Sequence, residues 1–337
     1  MRQVRYAVIG ASGMGRAHMQ GLRDNKNTVL TAICDVNPKM LDECRELYPD
    51  VRQYTDYRDL LASPDVDAVI IVVPDQQHRE ISVAALAAGK HVLCEKPLAL
   101  TLEDCRAIID AAQKSDRKFM VGQICRYTPG FVLAKQFIER GEIGELFFVE
   151  SEYAHDYSKL PGNYKNWRLD PLRHGVLGGG CHAVDLLRWI AGNPYEVAAF
   201  ANRKMLTTWP TDDCTIAIMK FPNDVIGKVF VSTGCKRNYT MRSVFYGSKG
   251  TIITDNTSTS MQLFKTDSEY GFTVPTLYPI SVNNHNAAGE IASFTESILN
   301  DTPVTTDAFE GACTVAAALA AVRASKSGQV EKIDYSF

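Results

Sequence analysis

The residues that could do chemistry begin at position 10. Gly10-Ala11-Ser12-Gly13-Met14-Gly15 follows the apolar run Val4–Ile9 and opens an amphipathic segment, Gly13–Arg23. A strand, a glycine turn and a helix N-terminus in this order offer free N–H groups and a positive dipole end to a pyrophosphate. Gly10 permits the tight turn and Gly15 lets the helix lie close on the strand. Ser12 stands where the middle glycine of the pattern falls, but it is small and Gly13 adjoins it. Asp35 lies 20 residues beyond Gly15, at the end of the next apolar run. A carboxylate there can accept hydrogen bonds from ribose hydroxyls and would repel a 2′-phosphate. Val36, Asn37 and Pro38 follow it and bring no compensating base. The expected cofactor is NAD rather than NADP.

Further polar groups cluster after later apolar runs. They are Val73-Pro74-Asp75-Gln76-Gln77-His78, Glu95-Lys96-Pro97, Gln123-Ile124-Cys125-Arg126-Tyr127 and Gly179-Gly180-Cys181-His182-Ala183-Val184-Asp185. Ligands of open α/β sheets bind at the C-terminal ends of the strands, where the first three of these fall. Val73, Pro74, His78, Glu95 and Lys96 are therefore expected along the cofactor. Removing a hydride from a secondary alcohol needs a base for the hydroxyl proton and a group that stabilises the developing alkoxide. A histidine, titrating near neutrality, suits the first role, and a partly desolvated lysine suits the second. His182 and Asp185 are three residues apart and share a helical face. For His78, ordering a loop or capping the following helix is favoured over proton transfer. His155, Trp167 and Arg168 could contact a substrate or simply anchor their loops.

These groups need a scaffold. Residues 1–122 alternate between strand-like runs (4–9, 29–34, 68–73, 91–94, 119–121) and helical segments (13–23, 38–48, 56–62, 77–88, 101–115). The run 68–73 is nearly all β-branched, as suits a strand buried on both faces. The pattern predicts a doubly wound parallel sheet of six strands, five of them marked by these runs and the third, between 48 and 56, left without bounds, which is a Rossmann domain. Residues 123–337 read differently. Helices are expected at 129–140 and 181–191, a strand at 146–153 and a loop-rich stretch at 156–180. Strands at 196–201, 213–221, 225–233, 243–246 and 251–254 have no helices between them, and helices at 290–300 and 309–326 close the chain. This predicts an α+β domain on an open, mostly antiparallel sheet.

Composition narrows the class. The 337 residues suit about two domains. A net charge of −3 without a basic run excludes nucleic acid as the main partner. No membrane partner is expected, because no apolar stretch approaches the 18 residues of a span. The N-terminus runs directly into a strand without a leader pattern, which points to the cytoplasm. The nine cysteines are scattered, and none forms a C-x-x-C pair. They read as reduced thiols, with no metal site.

Taken in order and at these spacings, the motifs resemble the Gfo/Idh/MocA family, the glucose–fructose oxidoreductase and inositol dehydrogenase group, over nearly the whole chain. Gly247-Ser248-Lys249-Gly250-Thr251 and the segment from Glu290 to Val304 also look like that family's second domain. The resemblance implies an NAD-dependent oxidoreductase acting on a secondary hydroxyl of a sugar, sugar derivative or cyclitol. It implies that His182 is the acid/base, that Lys96 orients the reacting oxygen, and that Arg126 and Asp185 belong to the substrate site; His155, Trp167 and Arg168 join that site on the reading of their own residue types. It also implies a homodimer or homotetramer. One departure stands out. Many dehydrogenases of the family carry an aspartate four residues before the histidine, and here that position is Gly178. A third member of the constellation is missing or comes from elsewhere. A redox-cycling NAD-dependent glycosidase or lyase, and a non-catalytic NAD-dependent sensor, are the competing readings.

Overall fold

The computed structural model describes residues 3–160, 164–265, 274–282 and 285–337. The chain divides into two units. The first comprises Met1–Gln123 with Asn286–Ala312 and Phe337, and the second Ile124–His285 with Cys313–Ser336.

The first unit alternates β1 (Val4–Ile9), α1 (Gly13–Arg23), β2 (Thr28–Cys34), α2 (Pro38–Leu47), β3 (Arg52–Tyr54), α3 (Tyr57–Leu61), β4 (Ala68–Ile71), α4 (His78–Ala87), β5 (His91–Glu95), α5 (Leu102–Gln113) and β6 (Phe119–Gly122). All pairings are parallel, in the order β3-β2-β1-β4-β5-β6. This is the doubly wound order, with its crevice where the winding reverses between β1 and β4. Every residue of β4 is buried, as a central strand covered on both faces requires. Helix starts follow local chemistry. The Thr101 side chain accepts from the N–H of Asp104, and the Asn37 and Asp56 side chains accept from Lys39 and Arg58.

The second unit carries α6 (Pro129–Glu139), β7 (Leu146–Ala154), α7 (Gly175–Gly178) and α8 (Cys181–Ala191). A run of strands follows: β8 (Glu196–Asn202), β9 (Cys214–Lys220), β10 (Ile226–Ser232), β11 (Thr240–Gly247), β12 (Gly250–Asp255), β13 (Ser260–Lys265) and β14 (Thr276–Pro279). With β15 (Glu331–Lys332) they form a nine-stranded sheet, ordered β14-β13-β12-β11-β7-β10-β9-β8-β15. Its pairings are antiparallel except for β7 with β10.

Helix α9 (Ala287–Asn300) corrects the expectation that everything beyond residue 122 belongs to the second domain, since it packs in the first unit. Its apolar face, Ile291 and Phe294, joins the core of Tyr6, Met19 and Leu22. Gly21 makes the close approach possible, because a Cβ there would stand 2.9 Å from Ile291 Cδ1. The Tyr6 hydroxyl meets Thr295 Oγ1 at 2.9 Å. An amphipathic pattern reports that one face is buried but not against what. A second correction concerns α10 (Ala308–Ser327), which is by length and composition long and apolar enough to cross a membrane. It is 72% buried within the protein, as a core helix would be.

Candidate functional site

Each unit carries its own constellation. In the first, Gly10 has φ +103° and a Cβ there would collide with the Val72 carbonyl, so only glycine fits. A Cβ on Gly15 would strike the Gly10 carbonyl, which is how α1 comes to start directly on the turn. Ser12 occupies the N-cap, yet its side chain makes no capping hydrogen bond, and the first turn holds no acidic residue. The helix end around Gly13 and Met14 thus retains its anion-binding character. Asp35 follows β2. One of its carboxylate oxygens accepts from the Ala11 N–H and the other from the Asn37 N–H, both at 2.8 Å. Each oxygen keeps a lone pair for a further donor.

Val73 and Pro74 lead from β4 into α4. His78 is fully buried. Its Nδ1 lies 2.8 Å from the Pro97 carbonyl and its Nε2 3.1 Å from the Val73 carbonyl. Two carbonyls can only accept, so both ring nitrogens donate and the ring is an imidazolium. Burial opposes that charge, but the Cys94 sulfur, Asp75 and the Pro97 carbonyl outweigh it, and the pKa is pushed up to about 10. His78 therefore ties two strand-end loops together. This is the loop-ordering role that the sequence reading favoured for His78.

Glu95 closes β5, and Lys96 follows it. One Glu95 oxygen meets His18 Nε2 at 2.9 Å, and the other accepts from the Lys96 N–H at 3.2 Å. Burial disfavours the charge, yet the His18 bond and the nearby Lys96 hold this carboxyl down at about 2. Glu290, from the first turn of α9, is wholly buried, and among the described residues neither carboxyl oxygen has a hydrogen-bond partner. Its ligand atom and those of His18 and Glu95 all lie within 4.8 Å of one another. Burial and the Glu95 charge push the Glu290 carboxyl well above the usual range. A neutral acid beside a carboxylate–histidine pair is the arrangement this environment favours.

The second unit places His182 in the first turn of α8, 2% exposed, with Nδ1 3.3 Å from Cys125 Sγ. Aromatic rings surround it. The centroid of Tyr153 is 6.0 Å away in a stacked orientation and that of His285 is 5.9 Å away, edge-on. His155 packs on Tyr239 at 4.8 Å and Tyr157 at 5.2 Å, and its Nδ1 meets the Tyr153 hydroxyl at 3.2 Å. The Tyr153 and Tyr157 hydroxyls are 3.0 Å apart. Burial drives the Tyr153 and Tyr239 phenols well above their ordinary value, so both stay neutral donors. Aromatic faces with hydroxyl and imidazole tips suit a small polyhydroxylated molecule.

Two expected substrate contacts are spent within the protein. Arg126 donates to Asp185 twice, Nε to Oδ2 at 2.9 Å and Nη2 to Oδ1 at 2.7 Å, and Thr314 donates to Oδ1 at 3.0 Å. Asp185 is wholly buried. The pair anchors α8 to the segment after β6, correcting the expectation that both side chains address a substrate. The Trp167 ring carries the Arg168 and Arg173 guanidinium groups, centred 4.2 and 4.5 Å from its centroid. Arg173 also fills the space beside Gly178. A Cβ at 178 would overlap its guanidinium, and Arg173 Nη2 donates to the Gly178 carbonyl at 3.3 Å.

Sequence reasoning passed over His18, Cys125, Tyr153, Tyr157, Tyr239, His285 and Glu290. A signal existed for two of them. Tyr153, His155 and Tyr157 alternate at period two from the end of β7, which puts aromatic rings on one side of the extended chain. His18, Glu290 and His285 are far from their partners in sequence, and nothing local marks them.

Two family models match the chain. One, described as an oxidoreductase family with an NAD-binding Rossmann fold, covers residues 4–123; the other, described as a GFO/IDH/MocA C-terminal domain, covers 131–253. Levoglucosan dehydrogenase of Pseudarthrobacter phenanthrenivorans is 28% identical, over 75% of this chain and 74% of that protein. Myo-inositol 2-dehydrogenase of Thermotoga maritima is 30% identical, over 75% of each. Among solved structures, a levoglucosan dehydrogenase in complex with NADH superposes with a TM-score of 0.90 at 23% identity. The match covers 99% of this chain and 100% of that one.

Proposed function

Since the chain belongs to the Gfo/Idh/MocA family of NAD-binding oxidoreductases, we propose that its substrate is a sugar, sugar derivative or cyclitol, oxidised or reduced at a secondary carbon. The observation that carries this reading is the setting of His182. It is a buried imidazole with Nδ1 against Cys125 Sγ, stacked by Tyr153 and edge-on to His285, and those two rings continue into a cluster with His155, Tyr157 and Tyr239. Relatives named for levoglucosan and inositol support the substrate class.

The glycine turn and Asp35 fit an adenine dinucleotide, with Gly10, Ser12, Gly13, Met14 and Gly15 on the pyrophosphate and Asp35 on the ribose. NAD, when bound, supplies the hydride acceptor or donor. His182 takes or returns the hydroxyl proton, and Lys96 stabilises the negative charge that grows on that oxygen. His155 and the tyrosines bind and orient the polyol. Arg126 and Asp185 act indirectly, by holding α8. Trp167 and Arg168 border the substrate through their loop.

The test is a screen of sugars and cyclitols for NADH formation, followed by His182→Ala and Lys96→Ala on the best substrate. Each variant is expected to lose about a hundredfold or more in turnover while still binding NAD. Near-normal rates in both would sink the assignment. Turnover of a glycoside without net NADH would favour the redox-cycling reading.

We also propose a cytoplasmic homodimer or homotetramer. Phe200, Ile216, Ile218 and Phe230 share one face of the large sheet, and Phe200 is 78% exposed. Apolar patches of this kind mark protein–protein contacts.

A further inference from the structure

We propose that Glu95 and Glu290 share one exchangeable proton at the carboxyl end of β5, and that this proton leaves when oxidised NAD binds and stays when NADH binds. The inference rests on NAD as the cofactor and on no particular substrate.

The place of the pair comes first. Glu95 is the last residue of β5 and lies opposite Gly122, the last residue of β6. A Cβ on Gly122 would stand 3.4 Å from Glu95 Cα and 3.6 Å from Glu290 Oε1, so α9 delivers its carboxyl group to the same strand ends. Ligands of doubly wound sheets lie outside the carboxyl ends of the strands, one mononucleotide on each half of the sheet. The glycine turn after β1 and Asp35 after β2 fit the adenosine half. The ends of β4, β5 and β6 then fall to the nicotinamide half.

The charge of the pair follows from its setting. One ligand atom each of His18, Glu95 and Glu290 lie within 4.8 Å of one another. Glu290 is wholly buried and Glu95 is 8% exposed. Two carboxylates this close, in so dry a setting, do not both ionise, so the pair keeps a proton. Hydrogen bonds decide where it resides. One Glu95 oxygen accepts from the Lys96 N–H at 3.2 Å and the other lies 2.9 Å from His18 Nε2, whereas among the described residues neither Glu290 oxygen has a partner. Donors favour the ionised form, so Glu95 carries the charge and Glu290 the proton. The directions agree, with Glu95 held down by His18 and Lys96 and Glu290 pushed up by burial and Glu95. Lys96 is the other charge that acts on Glu290. Tyr6 of β1 turns its hydroxyl to Thr295 of α9, and burial keeps that phenol neutral.

Oxidised NAD and NADH differ by one positive charge on the nicotinamide ring. A cation favours the ionised form of a nearby acid, so the oxidised cofactor draws the proton off the pair and the reduced one does not. Linkage makes the effect reciprocal: the protein that has lost the proton binds oxidised NAD more tightly. The buried pair thus lets a proton follow the charge of the cofactor.

The test is calorimetric titration of the full-length protein with each dinucleotide in buffers of different ionisation heat, which counts the protons exchanged. Oxidised NAD is expected to release up to one proton, and its affinity should rise with pH by up to about tenfold per unit, while NADH releases none. Glu290→Gln keeps the size and polarity of the neutral acid without its exchangeable proton. It should still bind both dinucleotides and should abolish the release. Lys96→Ala removes the other group from which a cation could expel a proton. Release that vanishes in Lys96→Ala and persists in Glu290→Gln would make the lysine its source and overturn the proposal. Difference infrared spectra give a second readout in the wild type, where oxidised NAD should diminish a carboxylic-acid carbonyl band and NADH should not. Equal proton exchange with the two dinucleotides, or a carbonyl band that neither alters, also overturns it. No substrate enters these measurements, so a failure of the dehydrogenase reading shows separately, in the turnover of His182→Ala and Lys96→Ala.

Discussion

Arg126 and Asp185 form a two-pronged ion pair in which neither side chain is more than 5% exposed. Arg188 adds a third charge, with Nη1 3.5 Å from Asp185 Oδ1 and 2.7 Å from Thr314. Two guanidinium groups thus depend on one buried carboxylate. Removing it takes the shared counter-charge from both, a loss of about 3–5 kcal/mol for a broken buried pair. Asp185→Ala is expected to lower the melting temperature of the second unit and the soluble yield, where an isolated substrate contact would raise only KM. Denaturant unfolding monitored beside Michaelis kinetics separates the two. A raised KM at unchanged stability would restore Asp185 to the substrate site.

Asp35 gives the second prediction. Its oxygens already hold the Ala11 and Asn37 amides. Replacing it removes a charged acceptor worth about 1.5–3 kcal/mol per hydrogen bond, or roughly 10- to 150-fold in NAD affinity. Asp35→Ser combined with Val36→Arg removes the repulsion toward a 2′-phosphate and adds a partner for it. The double variant should bind NADP more tightly than NAD, as calorimetric titration of both cofactors would reveal. Unaltered preference would mean that another residue selects the cofactor.

The third prediction concerns pH. Glu290 has its folded-state pKa raised well above the ordinary value by burial and Glu95. Its stability contribution is complete below the unfolded pKa and is lost as pH rises toward the folded one. Each pH unit in that window costs about 1.4 kcal/mol. Glu95 runs the other way, with its contribution present above the unfolded pKa and lost as pH falls through about 2. Glu290→Gln mimics the neutral acid and should flatten the decline of the melting temperature as pH rises above the ordinary carboxylate range. Parallel wild-type and variant profiles across that range would exclude a protonated Glu290.

The exposed sheet face makes a fourth. Phe200→Asp and Ile218→Asp together place two charges on a patch whose residues are 78% and 54% exposed in the single chain. They should convert an oligomer to monomers in sedimentation without loss of fold. A monomeric wild type at micromolar concentration would remove the premise.

Much of the scaffold was legible because it is written locally. Helices Gly13–Arg23 and Cys181–Ala191 have the bounds read from sequence, since glycine turns and apolar spacing mark both ends. Strand Arg52–Tyr54 could not be bounded from sequence, being three residues on a sheet edge with no buried member. The parallel pairing of β7 with β10 was equally silent, because alternation gives a strand's faces but not its neighbour's direction.

The sequence by itself determined the glycine turn and marked Asp35, Lys96 and His182, the residues on which cofactor choice and chemistry are proposed to rest. Those features are set by residue type and short spacing. Only the tertiary structure decided who partners whom. Asp185 meets Arg126 rather than a ligand, Arg173 fills the room beside Gly178, Glu290 comes from α9 to His18 and Glu95, and Cys125 reaches His182. Each of the two ion or hydrogen-bond pairs with α8 joins groups more than fifty residues apart. Their pairing depends on which faces the core buries together, and one-dimensional periodicity carries no record of that.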